Sequence, residues 1–306
     1  MIYSSLDDYA GFFSGFFFTM NHYIYSKENN INFKLNTDNW LFKYKEGWTD
    51  YFESIDINDN IIEDKKEDII VKHGNVLYNY PLFEYRNIIP MIYKYNNTTK
   101  SKIYEKMKEL NIIDKSFDSI FIRRGDKLFE ESALIPTEKY LDLLLKKNPL
   151  CTDLFIQTDD YNCFTEIKQI IESRKLNIQL YTLCSPNEMG VIVIEHTNTI
   201  LNYKQDTIRK DNKEYLDKIR NNLLKTKPVY LMTPVEKYNH TINMIIGIDI
   251  VLHSNICITD FQSNATRFIK LAHLHNSNIF SVLNPTREVD LNYCICPSYP
   301  RHNIFW

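Results

Sequence analysis

The second half of the chain alternates short apolar segments with longer segments whose apolar residues recur every three or four positions. Short apolar segments are typical of buried strands, and the longer spacing is typical of helices that cover a sheet. The pattern predicts strands over 119–122, 154–156, 178–181, 256–259 and 279–282, and helices over about 136–147, 164–171, 238–253 and 263–275. This alternation indicates a doubly wound parallel α/β sheet, which binds ligands at the carboxyl ends of its strands.

The first third of the chain is less regular. A helix is predicted over about residues 6–27, because Phe13, Phe16 and Met20 belong to one apolar stripe. The rest is extended and rich in polar and aromatic residues, and the mixed charge run at 63–68 indicates a solvated surface. With 306 residues, 44% of them hydrophobic, the chain can form two cores. We predict an N-terminal domain over 1–115 and a C-terminal domain over 116–306.

The charge and the N-terminal segment argue against several classes of partner. The net charge of −3 gives no basic surplus for nucleic acid or an anionic membrane. The apolar run at 12–18 is too short to span a bilayer, and it follows Asp7 and Asp8 where a signal peptide would be basic. The six cysteines show no framework spacing. The sequence therefore predicts a soluble, cytoplasmic protein with no membrane span and no nucleic-acid partner.

The densest charged motif follows the first strand of the second half. It reads Arg123-Arg124-Gly125-Asp126-Lys127, with Glu130 and Glu131 after it. Two guanidiniums and an ammonium so close together favour an anionic partner, and a diphosphate suits a guanidinium that can bind two phosphate oxygens at once. A nearby carboxylate could deprotonate an attacking hydroxyl. Two other interpretations of this motif stay open. It could be a salt-bridged cluster of arginines and aspartates at the surface, or an Arg-Gly-Asp adhesion tripeptide.

This motif and several other segments resemble the α1,6-fucosyltransferase superfamily. Its first motif is Arg-Arg-x-Asp-Lys after a short strand, as at 123–127. Residues 131–133 resemble the family's E-A-A, and residues 135–140 resemble its H-P-x-E-E-Y. Residues 157–160 resemble its A-T-D-D, and residues 259–267 resemble its C-T-F-S-S-Q-V-C-R. Nearer the N-terminus, Asn39-Trp40 and Gly47-Trp48 resemble its paired N-W and G-W. The resemblance thus extends over most of the chain.

The resemblance implies a GT-B fold, in which two Rossmann-like domains face a cleft. The N-terminal domain would hold the acceptor, and the C-terminal domain would bind the nucleotide sugar. The implied reaction is an inverting single displacement that uses GDP-fucose as donor and a glycan as acceptor. It needs no metal and no further cofactor.

The resemblance also implies roles for individual residues. Arg123 matches the arginine that binds the donor β-phosphate, with Arg124 in support, Lys127 matches a lysine beside the reacting centre, and Glu131 matches the catalytic base. The implied donor-binding residues are Arg123, Arg124, Asp126, Asp249, Ser263, Asn264 and Arg267. Ser263 would bring a helix N-terminus to the diphosphate, and Asp249 matches, after a two-residue gap, an aspartate that contacts the guanine.

Two features leave alternatives open. Phe121 stands where the family has His, which motivates a second hypothesis, a non-catalytic protein that binds a nucleotide sugar or a glycan. A third hypothesis is a transferase for another GDP-sugar.

Asp159 and Asp160 fit either a DxD-like metal site or an N-cap of the following helix, and we favour the cap. The sequence contains neither GxGxxG nor GxxxxGK[ST], which argues against NAD-dependent and P-loop chemistry.

Overall fold

A computed structural model describes most of the chain. The described residues are 1–8, 10–57, 69–71, 77–78, 80–126, 128, 134–193, 217, 221–222 and 226–283. They pack as two compact units, one of residues 1–101 and 233–242 and one of residues 102–232 and 243–283. The domain boundary near Lys115 remains a prediction from the sequence, because these units are defined by packing alone. None of the helices in the described ranges is both long and apolar enough to cross a membrane.

A small parallel sheet lies at the centre of the first unit. β1 (Ile2–Ser5) lies between β2 (Phe33–Asn36) and β3 (Ile69–Val71) and is parallel to both. The helices of this part of the chain are α1 (Phe12–Glu28), α2 (Leu82–Ile92) and α3 (Asn97–Glu109). The predicted N-terminal helix is confirmed as α1, which begins later than expected because the described residues between Ser5 and Phe12 form a loop after β1. The sequence did not predict the three strands.

Aromatic side chains fill the core of the first unit. The ring centroid of Trp48 lies 4.5 Å from that of Phe52 and 5.8 Å from that of Phe16, and both pairs are stacked. Tyr238, from the segment that returns to this unit, stacks on Tyr51 at 5.6 Å. Such pairs contribute about 0.5–1.5 kcal/mol each beyond the area they bury. Trp48, which belongs to the segments that resemble the family, is therefore a core residue.

Five parallel strands form the sheet of the second unit, in the order β6-β5-β4-β7-β8. The strands are β4 (Asp118–Ile122), β5 (Asp153–Thr158), β6 (Gln179–Thr182), β7 (Cys257–Thr259) and β8 (Ile279–Ser281). The described helices of this part of the chain are α4 (Thr137–Lys147), α5 (Tyr161–Ser173), α6 (Pro234–Leu252), of which residues up to 242 belong to the first unit, and α7 (Asn264–Ala272). Each strand and helix predicted after residue 117 is confirmed, with ends displaced by a few residues, as is usual for sequence-based boundaries.

Helices cover both faces of this sheet. On one face, apolar residues of α4 and α5 join Ile120 and Ile156 in one core cluster. Gln157 follows Ile156 and therefore points to the other face, where it meets α6 at Gly247, and a Cβ at Gly247 would overlap the Gln157 side chain. The predicted doubly wound α/β class is confirmed. Because β5 and β6 lie on one side of β4 while β7 and β8 lie on the other, the strand order reverses between β4 and β7.

Candidate functional site

Three polar loops lie along the carboxyl edge of the second sheet. They follow β4, β5 and β7 and contain residues 123–126, 159–160 and 260–263. Parallel strands bring their carboxyl ends to one edge, and ligands of doubly wound sheets bind there, at the point where the strand order reverses. That switch point has the arginine motif on one side and the start of α7 on the other.

The Arg123 guanidinium lies between two carboxylates. Its Nη2 is 2.7 Å from Asp126 Oδ1, and its Nη1 forms an ion pair with Asp159. The Arg123 side chain is 15% exposed, so it remains accessible at the edge of the sheet. A guanidinium has five N–H donors. A phosphate can therefore bind Arg123 beside these carboxylates or in exchange for one of them.

Arg124 points into the protein instead. Its side chain is 2% exposed, its Nη1 and Nη2 donate to the two carboxylate oxygens of Glu166 at 3.3 and 3.0 Å, and Asp160 Oδ2 lies 3.6 Å from Nη1. Successive residues of an extended segment point to opposite sides, which explains why the two arginines differ. The salt-bridge interpretation of the motif holds for Arg124, except that its ion pairs are buried and not at the surface. In this position, Arg124 can take its predicted role toward the donor only indirectly, by supporting the loop that contains Arg123.

Gly125 lets the loop after β4 turn back against a neighbouring segment. Its φ is +59°, and a Cβ here would lie 2.6 Å from the backbone nitrogen of Val191 and 2.7 Å from Asp159 Oδ2. Asp126 then joins the same segment, because its N–H donates to the Val191 carbonyl at 3.1 Å and its Oδ2 accepts a bond from the Val193 N–H at 3.1 Å. The structure thus places Asp126 between Arg123 and this segment, where it orients the guanidinium.

α7 begins on the other side of the switch point with a capping box. Ser263 Oγ accepts a bond from the Thr266 N–H at 3.2 Å, and Thr266 Oγ1 accepts one from the Ser263 N–H at 3.2 Å. Arg267 Nη1 donates to Asn264 Oδ1 at 3.1 Å. The structure therefore brings Ser263, Asn264 and Arg267 together at one helix N-terminus, whose first-turn N–H groups and dipole favour an anion.

Asp260 is a polar residue of this edge that the sequence prediction did not include. It is 5% exposed, its Oδ1 accepts a bond from the Gln262 N–H at 3.0 Å, and its Oδ2 accepts one from the Tyr140 hydroxyl at 3.4 Å. Burial raises the pKa of Asp260 to about 6. An aspartate directly after an apolar strand at the switch point is the signal that could have identified it.

Asp249 pairs with a histidine near the end of α6. Its Oδ2 lies 3.4 Å from His253 Nδ1, and this hydrogen bond raises the pKa of His253 to about 9. Just beyond the helix, Ser254 Oγ is 2.8 Å from the hydroxyl of Ser119, near the amino end of β4. The structure thus groups Asp249 with His253 rather than with Arg123, and a contact to guanine stays a prediction.

The two predicted residues closest to the chemistry, Lys127 and Glu131, lie outside the described residues, as does Glu130. Asp160 is described and caps α5, since its Oδ1 accepts a bond from the Asn162 N–H at 3.0 Å. The N-cap interpretation of Asp160 is therefore confirmed. Within the part of the chain that the structure describes, no three or more His, Cys, Asp and Glu side chains are grouped so as to hold a metal ion.

Comparison with known proteins finds similarity at the level of structure. No protein-family model matches the chain, and no curated protein matches its sequence. A solved structure of NodZ α-1,6-fucosyltransferase soaked with GDP-fucose matches with a TM-score of 0.57 at 9% identity, over 93% of this chain and 97% of that one.

Two further solved structures agree with this match. The fucosyltransferase NodZ from Bradyrhizobium matches with a TM-score of 0.54 at 9% identity, over 88% of this chain and 93% of that one. A selenomethionine form of the same enzyme matches with a TM-score of 0.55 at 9% identity, over 93% and 96%. Identity this low establishes the fold alone. The chain has the α/β fold of the NodZ fucosyltransferase structures.

Proposed function

We propose that the chain is an inverting, metal-independent glycosyltransferase that transfers fucose from GDP-fucose to a glycan hydroxyl. The observation that carries the proposal is the position of Arg123 and the α7 N-terminus on the two sides of the switch point. Both groups favour an anion at the edge where doubly wound sheets bind ligands. The fold supports it, because a NodZ structure with the same fold was soaked with GDP-fucose.

The diphosphate of the donor would lie between Arg123 and the start of α7. Arg123 can bind two phosphate oxygens at once, and the first-turn N–H groups after Ser263 supply further donors. Asp126 and Asp159 orient the guanidinium, which favours catalysis because an oriented charge needs no reorganisation during the reaction. Asn264 and Arg267 would complete this side of the site, with Asp249 toward the base.

In the proposed reaction, a hydroxyl oxygen of the glycan forms a bond to C1 of fucose while the bond from C1 to the β-phosphate oxygen breaks. The proton of that hydroxyl passes to Glu131, and the electron pair leaves with GDP. Arg123 and Lys127 stabilise the negative charge that grows on the leaving diphosphate. Glu131 and Lys127 take these roles from the family resemblance.

A donor panel tests the proposal. The purified chain is heated with GDP-fucose, GDP-mannose, UDP-GlcNAc, UDP-glucose or GDP, with and without EDTA, and release of the nucleotide is followed. We expect stabilisation by GDP and slow, EDTA-insensitive release of GDP from GDP-fucose alone. A selective response to a UDP-sugar would contradict the assigned donor, and turnover of a different GDP-sugar would establish the third hypothesis.

The Arg123→Ala variant tests the residue at the centre of the site. Charged hydrogen bonds of this kind contribute about 1.5–3 kcal/mol, so GDP should bind roughly 10- to 100-fold more weakly and transfer should be abolished. Arg174→Ala is the matched control, because Arg174 also bridges two carboxylates, Glu138 and Asp142, but at the exposed end of α5. Full activity of Arg123→Ala in a folded protein would exclude the proposed role.

A second candidate function is a non-catalytic protein that binds a nucleotide sugar or glycan. The observation that favours it is the state of Arg123, whose two terminal nitrogens both contact carboxylates, together with Phe121 in place of the family histidine. This candidate predicts that GDP binds but that no donor is turned over with any acceptor. Consumption of a donor by the pure protein would exclude it.

A further inference from the structure

Asp260 is a buried carboxyl group at the proposed diphosphate site, and its contacts are neutral. Its oxygens accept bonds from the Gln262 N–H and the Tyr140 hydroxyl, and the Ser281 hydroxyl donates to its backbone carbonyl at 3.3 Å. No Lys, Arg or His among the described residues forms an ion pair with it. A carboxylate in this position would repel any second anion brought to the start of α7.

Asp260 lies in a strained turn, and the Asp260 carboxyl group stabilises that turn. Phe261 has a φ of +59°, a conformation that bulky side chains rarely adopt. The bond from the Gln262 N–H to Asp260 Oδ1 spans this residue and closes the turn around it. Strained residues persist where the surrounding structure holds them, and they cluster at ligand sites. The turn leads directly to Ser263, so Asp260 sets the direction in which α7 begins.

The groups that face Asp260 come from several elements. Tyr140 approaches from α4, and Arg124 from the β4 loop and Cys163 from α5 lie close enough to Tyr140 to alter its pKa. Ser281 approaches from β8. Neutral Asp260 can keep every bond in this set, because Oδ1 still accepts from Gln262 while a protonated Oδ2 donates to the Tyr140 oxygen.

We infer that Asp260 is a positioning residue that takes up one proton when the diphosphate of a nucleotide sugar binds at the start of α7. This inference rests on the proposed function and concerns the regulation of the same site. Two negative charges close together in a buried site do not both remain ionised, and the diphosphate keeps its charge. Donor affinity therefore decreases as pH rises, while the turn around Phe261 keeps its shape in both states. The pKa of about 6 for Asp260 supports this direction, since burial already disfavours its ionised form.

Calorimetric titration with GDP-fucose between about pH 5.5 and 8.5 tests the inference. GDP-fucose is the appropriate probe, because the terminal phosphate of GDP itself titrates near about pH 6, like other phosphate monoesters. For the wild-type chain, the dissociation constant should rise with pH between about pH 6 and 8, by up to about tenfold per unit. Buffers with different ionisation enthalpies should show uptake of one proton. Asp260→Asn, which keeps the acceptor for Gln262, should bind with no pH dependence in this range.

Two more variants separate this role from a purely structural one. Tyr140→Phe removes a hydrogen bond that lowers the pKa of Asp260, so the rise of the dissociation constant should begin at a higher pH. Asp118→Asn is the matched control, because Asp118 is 2% exposed at the amino end of β4, and it should leave the pH dependence unchanged. If the dissociation constants of wild type and Asp260→Asn depended on pH in the same way, this inference would be overturned, while the proposed function would stand. If the wild-type chain bound no GDP-sugar at any pH, the proposed function would fail with it.

Discussion

The ion pairs at the two edges of the second sheet differ in how deeply they are buried. At the amino edge, Lys115 is 36% exposed, and its Nζ lies 3.0 Å from Asp153 Oδ1 and 2.6 Å from the Tyr181 hydroxyl. At the carboxyl edge, Arg124 is 2% exposed and is bonded to carboxylates from the β5–α5 region. Burying charges costs several kcal/mol for each ion, as a rough figure, and such pairs add little net stability. The buried ion pairs therefore hold the carboxyl edge in a fixed geometry, as the proposed binding site would require.

The largest expected effect comes from Arg124→Ala. The change leaves Asp160, which is 1% exposed, and the Glu166 carboxylate without their guanidinium, and breaking a buried ion pair from one side costs about 3–5 kcal/mol of the free energy of unfolding. Lys115→Ala is the matched change at the amino edge, where solvent screens the pair, and its effect should be much smaller. Denaturant unfolding of both variants measures the contrast, and equal losses would remove the distinction between the edges.

The second expected effect is a pair of opposite pH dependences. At the amino edge, burial lowers the pKa of His273 to about 4, so the folded state binds fewer protons than the unfolded state up to about pH 6.5, and stability rises with pH. At the carboxyl edge, burial raises the pKa of Asp260 to about 6. The folded state then binds more protons above about pH 4, and stability falls as pH rises.

The two contributions oppose each other between about pH 4 and 6, so single replacements should reveal them. Relative to the parent chain, Asp260→Asn should make stability rise more steeply with pH, and His273→Gln should make it fall, each by on the order of 3 kcal/mol across the window. Urea unfolding at about five pH values measures the slopes. Parallel curves for the parent and both variants would contradict the prediction.

The smallest expected effect comes from the cap of α7. Ser263→Ala removes the acceptor for the Thr266 N–H and should lower the free energy of unfolding by about 1 kcal/mol. It should also weaken GDP binding, because the first turn of the helix loses its fixed direction. Ser277→Ala is the control at the amino edge, where the exposed hydroxyl donates to Asn278 Oδ1 at 3.3 Å. Thermal unfolding in the presence and absence of GDP tests both effects, and equal shifts for the two variants would count against the cap.

The strands and helices of the second unit could be predicted because each carries its own pattern. Leu154, Phe155 and Ile156 form a continuous apolar run in β5, as expected for a strand buried on both faces. The first sheet could not be predicted in this way. β1 reads Ile-Tyr-Ser-Ser, and it is a strand because Ile2 pairs with Phe33 and Ile69, which are distant in the sequence.

From the sequence, only those features of the site that depend on the type of residue could be predicted. The arginine motif could be predicted because adjacent guanidiniums after a strand favour an anion. Ser263 was implied by the family resemblance, with which the physics of a helix N-terminus agrees. The difference between Arg123 and Arg124 depends on which of them faces α5, which only the packing decides. The position of Asp260 in the site could not be predicted, because its hydrogen-bond partner Tyr140 lies 120 residues earlier in the chain.

The return of residues 233–242 to the first unit has a consequence for synthesis of the chain. The rings of Tyr44 and Tyr51 pack against Tyr238, with centroid distances of 4.8 and 5.6 Å. The aromatic core of the first unit is therefore incomplete while the ribosome makes the residues after Ser101. At roughly 5–20 residues per second, that interval is on the order of ten seconds. The N-terminal unit therefore finishes folding only after most of the second unit has emerged, and chaperones have that long to act on an exposed aromatic surface.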